Sequence, residues 1–200
     1  MIDWVPFVRV HGRTFDAAGA NQPIVVPADR IGDVVAVVSC RIADVVTDPS
    51  YRPRDGDASF LPVGTALHAF SGGRPDLRLA ARENGSWRVY QVTDLPTART
   101  GADLLDLGGG VLRIELLDGD TATRVLDSVS EAATVQRIVG AVLAAPTEPL
   151  KPGGVSESPL FVRFVLADGT FVERPWQVQA RLLANRLRAP AELSLLHASG

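Results

Sequence analysis

Between Leu77 and Val92 the chain reads LRLAARENGSWRVYQV, in which two runs of strand composition are joined through Glu83-Asn84-Gly85-Ser86. The Asn-Gly pair constrains the fold more than any other feature. A tight turn between right-handedly twisted strands needs positive φ at both central residues, and Asn and Gly tolerate it. The segment is therefore predicted to be a β-hairpin, with Trp87 and Val89 on one side of the pleat and Arg88 and Tyr90 on the other.

The same device recurs along the chain. VPFVRV and RTF flank His11-Gly12, with Val8 and Val10 facing one way and Phe7 and Arg9 the other; VLRIELL and TATRVL flank Asp118-Gly119-Asp120; LFVRFVLA and FVERPW flank Asp168-Gly169. Upstream of the central hairpin, a helical turn opening at Pro27 and closed by Gly32 should lead into one long Val- and Ile-rich strand over 33–46. Turn residues fill 48–57 and Pro62-Val63-Gly64-Thr65, and ALHAF reads as a strand. A helix is expected after Ser128-Val129-Ser130-Glu131, which has capping-box spacing, with Val135, Ile138, Val139, Val142 and Leu143 along one face and Pro146 and Pro149 preventing continuation. Pro190 is placed to open a short helix carrying Leu193, Leu195 and Leu196, whereas the preceding ARLLANRL has no decisive period. Gly108-Gly109-Gly110 and the 147–159 stretch around Lys151-Pro152-Gly153-Gly154 read as connections. The predicted class is α+β and β-rich, with antiparallel hairpins and one amphipathic helix packed on a sheet. It forms two closely associated modules, a β-rich one over 1–100 and a hairpin, helix, hairpin one over 101–200, with the junction near 95–110.

Composition narrows the function. With 200 residues the chain can bury its own core without staples, and 20 basic against 23 acidic residues, spread evenly, leave no basic stripe for a phosphate backbone. Nucleic acid is therefore not an expected partner. The lone Cys40 sits in the apolar run VVAVVSCRIADVV and reads as a small buried hydrophobe. No window approaches the roughly 18 apolar residues of a membrane helix, so no transmembrane segment is expected. The start MIDWVPFVRV lacks the basic and apolar regions of an export signal, as a chain trimmed of its signal also would.

No convergent catalytic set is legible. His11, His68 and His197 form no HxH or HExxH pattern and no Cys/His pair, so no metal or cofactor is expected. His68, within ALHAF, is either a hydrogen-bonded structural residue or a site residue. Asp48, Asp55 and Asp57 share one loop, where clustered carboxylates could hold a hard cation; the competing role is to accept hydrogen bonds from turn amides. No nucleophile elbow or phosphate-binding glycine loop is present. If any surface recognises a ligand, the expected residues are Tyr51, Arg52, Arg54, Asp55 and Asp57, with His68 added, because an aromatic with a polar handle stands there beside charges of both signs.

The run from Tyr51-Arg52 through Asp55-Gly56-Asp57-Ala58 and Phe60-Leu61-Pro62-Val63-Gly64-Thr65 to Leu79-Ala80-Ala81-Arg82 and Trp87-Arg88-Val89-Tyr90 resembles a domain of bacterial secreted proteins and lipoproteins that has no assigned activity. The stretch from Val135 to Leu143 and that from Phe161 to Trp176 are similar to segments of Gram-positive envelope lipoproteins. The resemblance covers most of the chain and carries no catalytic residues. It implies an extracytoplasmic place of work and a lipid anchor on the precursor, although neither a signal nor a lipidated Cys stands in this sequence; the alternative location is the cytoplasm. Two functions follow as expectations: a non-enzymatic binding or interaction domain of the cell envelope, with a protein or small molecule as ligand, and alternatively a small-molecule hydrolase or other enzyme whose site assembles only in three dimensions.

Overall fold

The computed structural model describes residues 4–19, 23–48, 50–149 and 159–196; Lys151, the 151–154 connection and His197 lie outside them. The chain is α+β and β-rich, with 41% of it in strands and 16% in helix. It divides into two compact units, Met1–Pro96 and Thr97–Gly200. Among the described residues no helix is long and apolar enough to cross a membrane.

In the first unit, β1 (Phe7–Val10) and β2 (Arg13–Ala17) form a hairpin whose turn places His11 at φ 49° and Gly12 at φ 75°. After the two-residue β3 (Val25–Val26) come β4 (Ile31–Val37), β5 (Cys40–Arg41), the short helix α1 (Ile42–Val45), β6 (Asp57–Ala58), β7 (Ala66–Phe70), β8 (Arg78–Glu83) and β9 (Ser86–Asp94). Asn84 and Gly85 take φ of 47° and 85°, so the central hairpin forms as its turn chemistry requires, with Arg82 opposite Trp87 and Ala80 opposite Val89.

The strand order is β4-β7-β8-β9-β2-β1-β6-β5, with β3 beside β9. Because β4 and β5 are successive lengths of one chain run, the two ends of this order meet and the sheet closes on itself. Val38 N–H donates to Thr65 O and Ser39 N–H to Gly56 O, at 2.9 and 2.8 Å, as the run leaves β7 for β6. Residues opposite each other on a ladder share a face, as do i and i+2 along a strand. Val8 pairs Phe15, Phe15 pairs Val92, Leu79 pairs Tyr90 and Leu67 pairs Ala81, which makes one continuous face, and every residue named on it is buried.

Two expectations are corrected here. The single strand over 33–46 breaks at Val38 and ends at Arg41. Beyond Arg41 the chain turns into α1, where Ala43 N–H still reaches across to Ser59 O at 3.3 Å and Val46 N–H closes on Ile42 O at 2.9 Å. The turn after Pro27 is a 3₁₀ turn over Ala28–Arg30, capped by Ile31 rather than Gly32, which already lies in β4. The β5–β6 pair is also parallel, whereas hairpins alone would give only antiparallel pairs.

The second unit opens with a 3₁₀ turn, Gly101–Asp103, followed by β10 (Val111–Leu117), β11 (Val125–Val129), helix α2 (Ala132–Ala144), β12 (Leu160–Leu166), β13 (Phe171–Gln177), β14 (Leu182–Leu183), β15 (Leu187–Arg188) and a 3₁₀ turn over Ala191–Leu195. Its sheet, ordered β11-β10-β12-β13-β14-β15, is antiparallel throughout. One face carries Ile114, Leu116, Val162, Phe164 and Val172, all buried, and α2 packs against β10 through buried Val135, Ile138 and Val142.

The helix starts differently from the capping-box reading. Ser128 lies in β11 opposite Glu115, so its backbone is committed to the sheet; Glu131 is the N-cap instead, its carboxylate accepting Ala133 and Thr134 N–H at 2.9 and 2.7 Å. TATRVL is not all strand. Asp118 accepts N–H groups of Thr121, Thr123 and Arg124 and holds a loop through 124. ARLLANRL resolves as the β14–β15 hairpin, with Ala184 and Asn185 at φ 53° and 62°.

Candidate functional site

The 51–57 loop lies between α1 and β6 and is held by its own aspartates. Asp57, only 4% exposed, accepts Tyr51 O–H at 2.7 Å and Arg54 N–H at 2.6 Å. Asp55 accepts Gly12 N–H from the first hairpin at 2.7 Å and lies 3.9 Å from Arg9 Nε. Asp48 closes a separate turn on Ser50. Of the two roles open to these carboxylates, the hydrogen bonds are those of turn closure, and among the described residues no group of three His, Cys, Asp or Glu side chains could hold a metal ion. The bond to Asp57 pushes the Tyr51 phenol above its ordinary value, because ionising it would face the carboxylate. Arg52 and Arg54 are exposed on the outer side of the loop.

His68 stands elsewhere, on β7. Its Nδ1 lies 2.9 Å from Gly32 O, and a carbonyl can only accept, so Nδ1 carries the proton. The ring packs edge-on against Trp87 with centroids 5.0 Å apart. No hydrogen bond, ion pair or ring contact among the described residues joins His68 to the loop. A cleft of about 320 Å³ does open in this unit, but around Val10, His11, Arg13, Val35 and Asp76. Its cation is engaged, since Arg13 Nη1 lies 3.4 Å from Asp76 Oδ2.

The second unit carries a polar arrangement that the sequence did not reveal. Glu115, Arg163 and Glu173 stand in register on three adjacent strands. Arg163 donates to Glu173 at 2.8 and 2.9 Å and to Ala122 O at 3.1 Å, lies 3.6 Å from Glu115, and stacks 4.4 Å from the Phe171 ring. Burial raises the Glu173 carboxyl above its ordinary value while Arg163 pulls it down. Every charge here has a protein partner, so the ladder reads as cross-strand pairing.

A further concave feature lies where the end of α2 meets the last strands of this unit. A cleft of about 560 Å³ is walled by six alanines and two prolines, among them Ala141, Ala144, Ala180, Ala189 and Pro190, with Glu148, Arg181 and Arg188 as its charged groups. Arg188 Nε and Nη2 both reach Glu148 Oε1, at 2.9 and 2.8 Å. A smaller lobe of about 290 Å³ shares Arg181, Ala189, Pro190 and Ala191 with it and adds Trp176, Val178 and Ser194. Trp176 is 8% exposed, and its indole N–H has no hydrogen-bond partner among the described residues. Small apolar walls with a few polar groups are the general form of a small-molecule site, and this volume lies within the roughly 300–1,000 Å³ such sites occupy.

None of Tyr51, Arg52, Arg54, Asp55, Asp57 or His68 lines either lobe. The lobes are built from 141–148 and 176–194, which come together only through helix packing and the β14–β15 hairpin. Glu148, Arg181 and Arg188 carry no motif in the sequence that would bring them together. Comparison of this chain with family models, with curated proteins and with solved structures finds no match.

Proposed function

We propose that the chain is a non-enzymatic binding module of the bacterial cell envelope, and that its second unit takes up a small ligand in the cleft beside the end of α2. The observation that carries this reading is the cleft itself, with alanine and proline walls of a volume suited to small molecules and its charges confined to Glu148, Arg181 and Arg188. The envelope location rests on the resemblance to secreted and lipoprotein domains. Nuclear magnetic resonance of the ¹⁵N-labelled full chain with a mixture of small aliphatic fragments tests the cleft directly. Saturable shifts of the Ala141, Ala144 and Ala189 amides are expected; a spectrum in which these three stay still while others move would reject this site. For location, protease added to intact cells should digest the native gene product, and protection until lysis would place it inside the cell.

A further inference from the structure

We propose that this cleft selects aliphatic monocarboxylates and that Arg181 is the residue that receives the carboxylate, an inference that rests on the cleft being a binding site. Of the three charged groups lining the larger lobe, two offset each other, since Arg188 is doubly engaged with Glu148. Arg181 is exposed and has no ion pair or side-chain hydrogen bond among the described residues, and it lines both lobes. The lobes therefore share one uncompensated guanidinium at their junction. A guanidinium presents a planar fork of donors that fits a carboxylate with two parallel bonds.

The backbone fixes the point from which that side chain leaves the fold. Arg181 takes φ 54°, a left-handed conformation that a residue with a Cβ adopts at a cost. It is fixed from both sides, its N–H donating to Val178 O at 3.2 Å and its carbonyl accepting Ala189 N–H at 2.8 Å.

The rest of the lining sets the ligand class. A single net positive charge suits a monoanion, and a dianion would also meet the Glu148 carboxylate. Alanine and proline walls offer methyl and methylene surface and few partners for further polar groups, so the body of the ligand is hydrocarbon. Past Arg181 the smaller lobe continues the apolar surface to the Trp176 ring.

Octanoate, octan-1-ol and inorganic phosphate, each titrated into the full chain by calorimetry, separate the terms. Octanoate is expected to bind about tenfold or more tightly than octan-1-ol, the worth of one charge-assisted bidentate contact, and phosphate to give no saturable heat. Arg181→Asn should abolish the advantage of octanoate and leave octan-1-ol unchanged; Asn is chosen because it tolerates the left-handed backbone, and an unaltered thermal midpoint checks the fold. Glu148→Gln, by releasing Arg188, should tighten octanoate. In the unaltered chain, octanoate should also shift the Trp176 indole N–H resonance, a readout independent of any substitution. Equal affinity for octanoate and octan-1-ol, phosphate binding as tight as octanoate, or an unmoved Trp176 resonance would each overturn carboxylate selection while the binding role of the cleft stands. Absence of binding by both octanoate and octan-1-ol would remove both.

Discussion

Asp57 shows how a single buried carboxylate organises a loop that sequence alone presents as a cluster of charge. Its Oδ2 takes both the Tyr51 hydroxyl and the Arg54 amide, so the loop folds back over it. Removing it leaves two donors without their acceptor at a position almost closed to water. Asp57→Ala should therefore destabilise the protein by about 1–3 kcal/mol, measured by urea denaturation. An unaltered midpoint would mean that these donors find water at no cost. The same residue illustrates why loop aspartates mislead. Asp48, Asp55 and Asp57 lie close in sequence, but one closes a turn on Ser50, one bonds the first hairpin and one is buried. Proximity along a loop does not fix where carboxylates point, whereas an Asn-Gly pair fixes its own φ values.

Among the elements, α2 is where local pattern and tertiary packing agree most fully. Val135, Ile138 and Val142 recur at helical spacing and all three are buried against the sheet. Ile138→Ala should cost about 2–5 kcal/mol through the cavity it leaves, read as a lowered denaturation midpoint with an unchanged slope. A midpoint that does not move would place Ile138 outside the core. The hairpins were legible for the same reason as the helix, since their signals are local. What escaped was set by partners distant in sequence. Ser128 reads as a cap until β10 claims its backbone, and residues 42–45 read as strand although the chain turns there into α1. The cleft escaped most completely, because alanines and arginines from separate elements carry no motif. Its charged residues are ordinary surface residues in sequence, and only the β14–β15 hairpin sets Arg181 beside the end of α2.

For the molecule as a whole, hydrogen-bonded titrating groups bound the pH range of full stability. The Asp118 carboxyl lies below its ordinary 3.8, held there first by the Arg124 amide, with the Thr121 hydroxyl and the Thr121 and Thr123 amides adding to it. A folded value below the unfolded one contributes stability that is present above the unfolded value and is lost as pH falls through the folded one. At the other limit, the Tyr51 phenol is raised above 10.0 by its bond to Asp57, so its contribution is complete below the unfolded value and is lost as pH rises through the folded one. Thermal midpoints should be flat near neutrality and fall at both extremes. Asp118→Asn should soften the acidic decline and Tyr51→Phe the alkaline one, and profiles of unchanged shape in these variants would refute the assignment. The closed sheet of the first unit bears on time rather than on stability. Its hairpins can form early, each from neighbouring residues, but the seam of β1 on β6 joins Phe7 to Ser59, 52 residues apart, and that of β2 on β9 joins Phe15 to Val92, farther apart still. Closing so long a span sacrifices chain entropy before any contact repays it. The first unit should thus fold at the pace of these long-range seams, and until the β1–β6 seam is made β1 and β6 each offer an open β-edge to any neighbour.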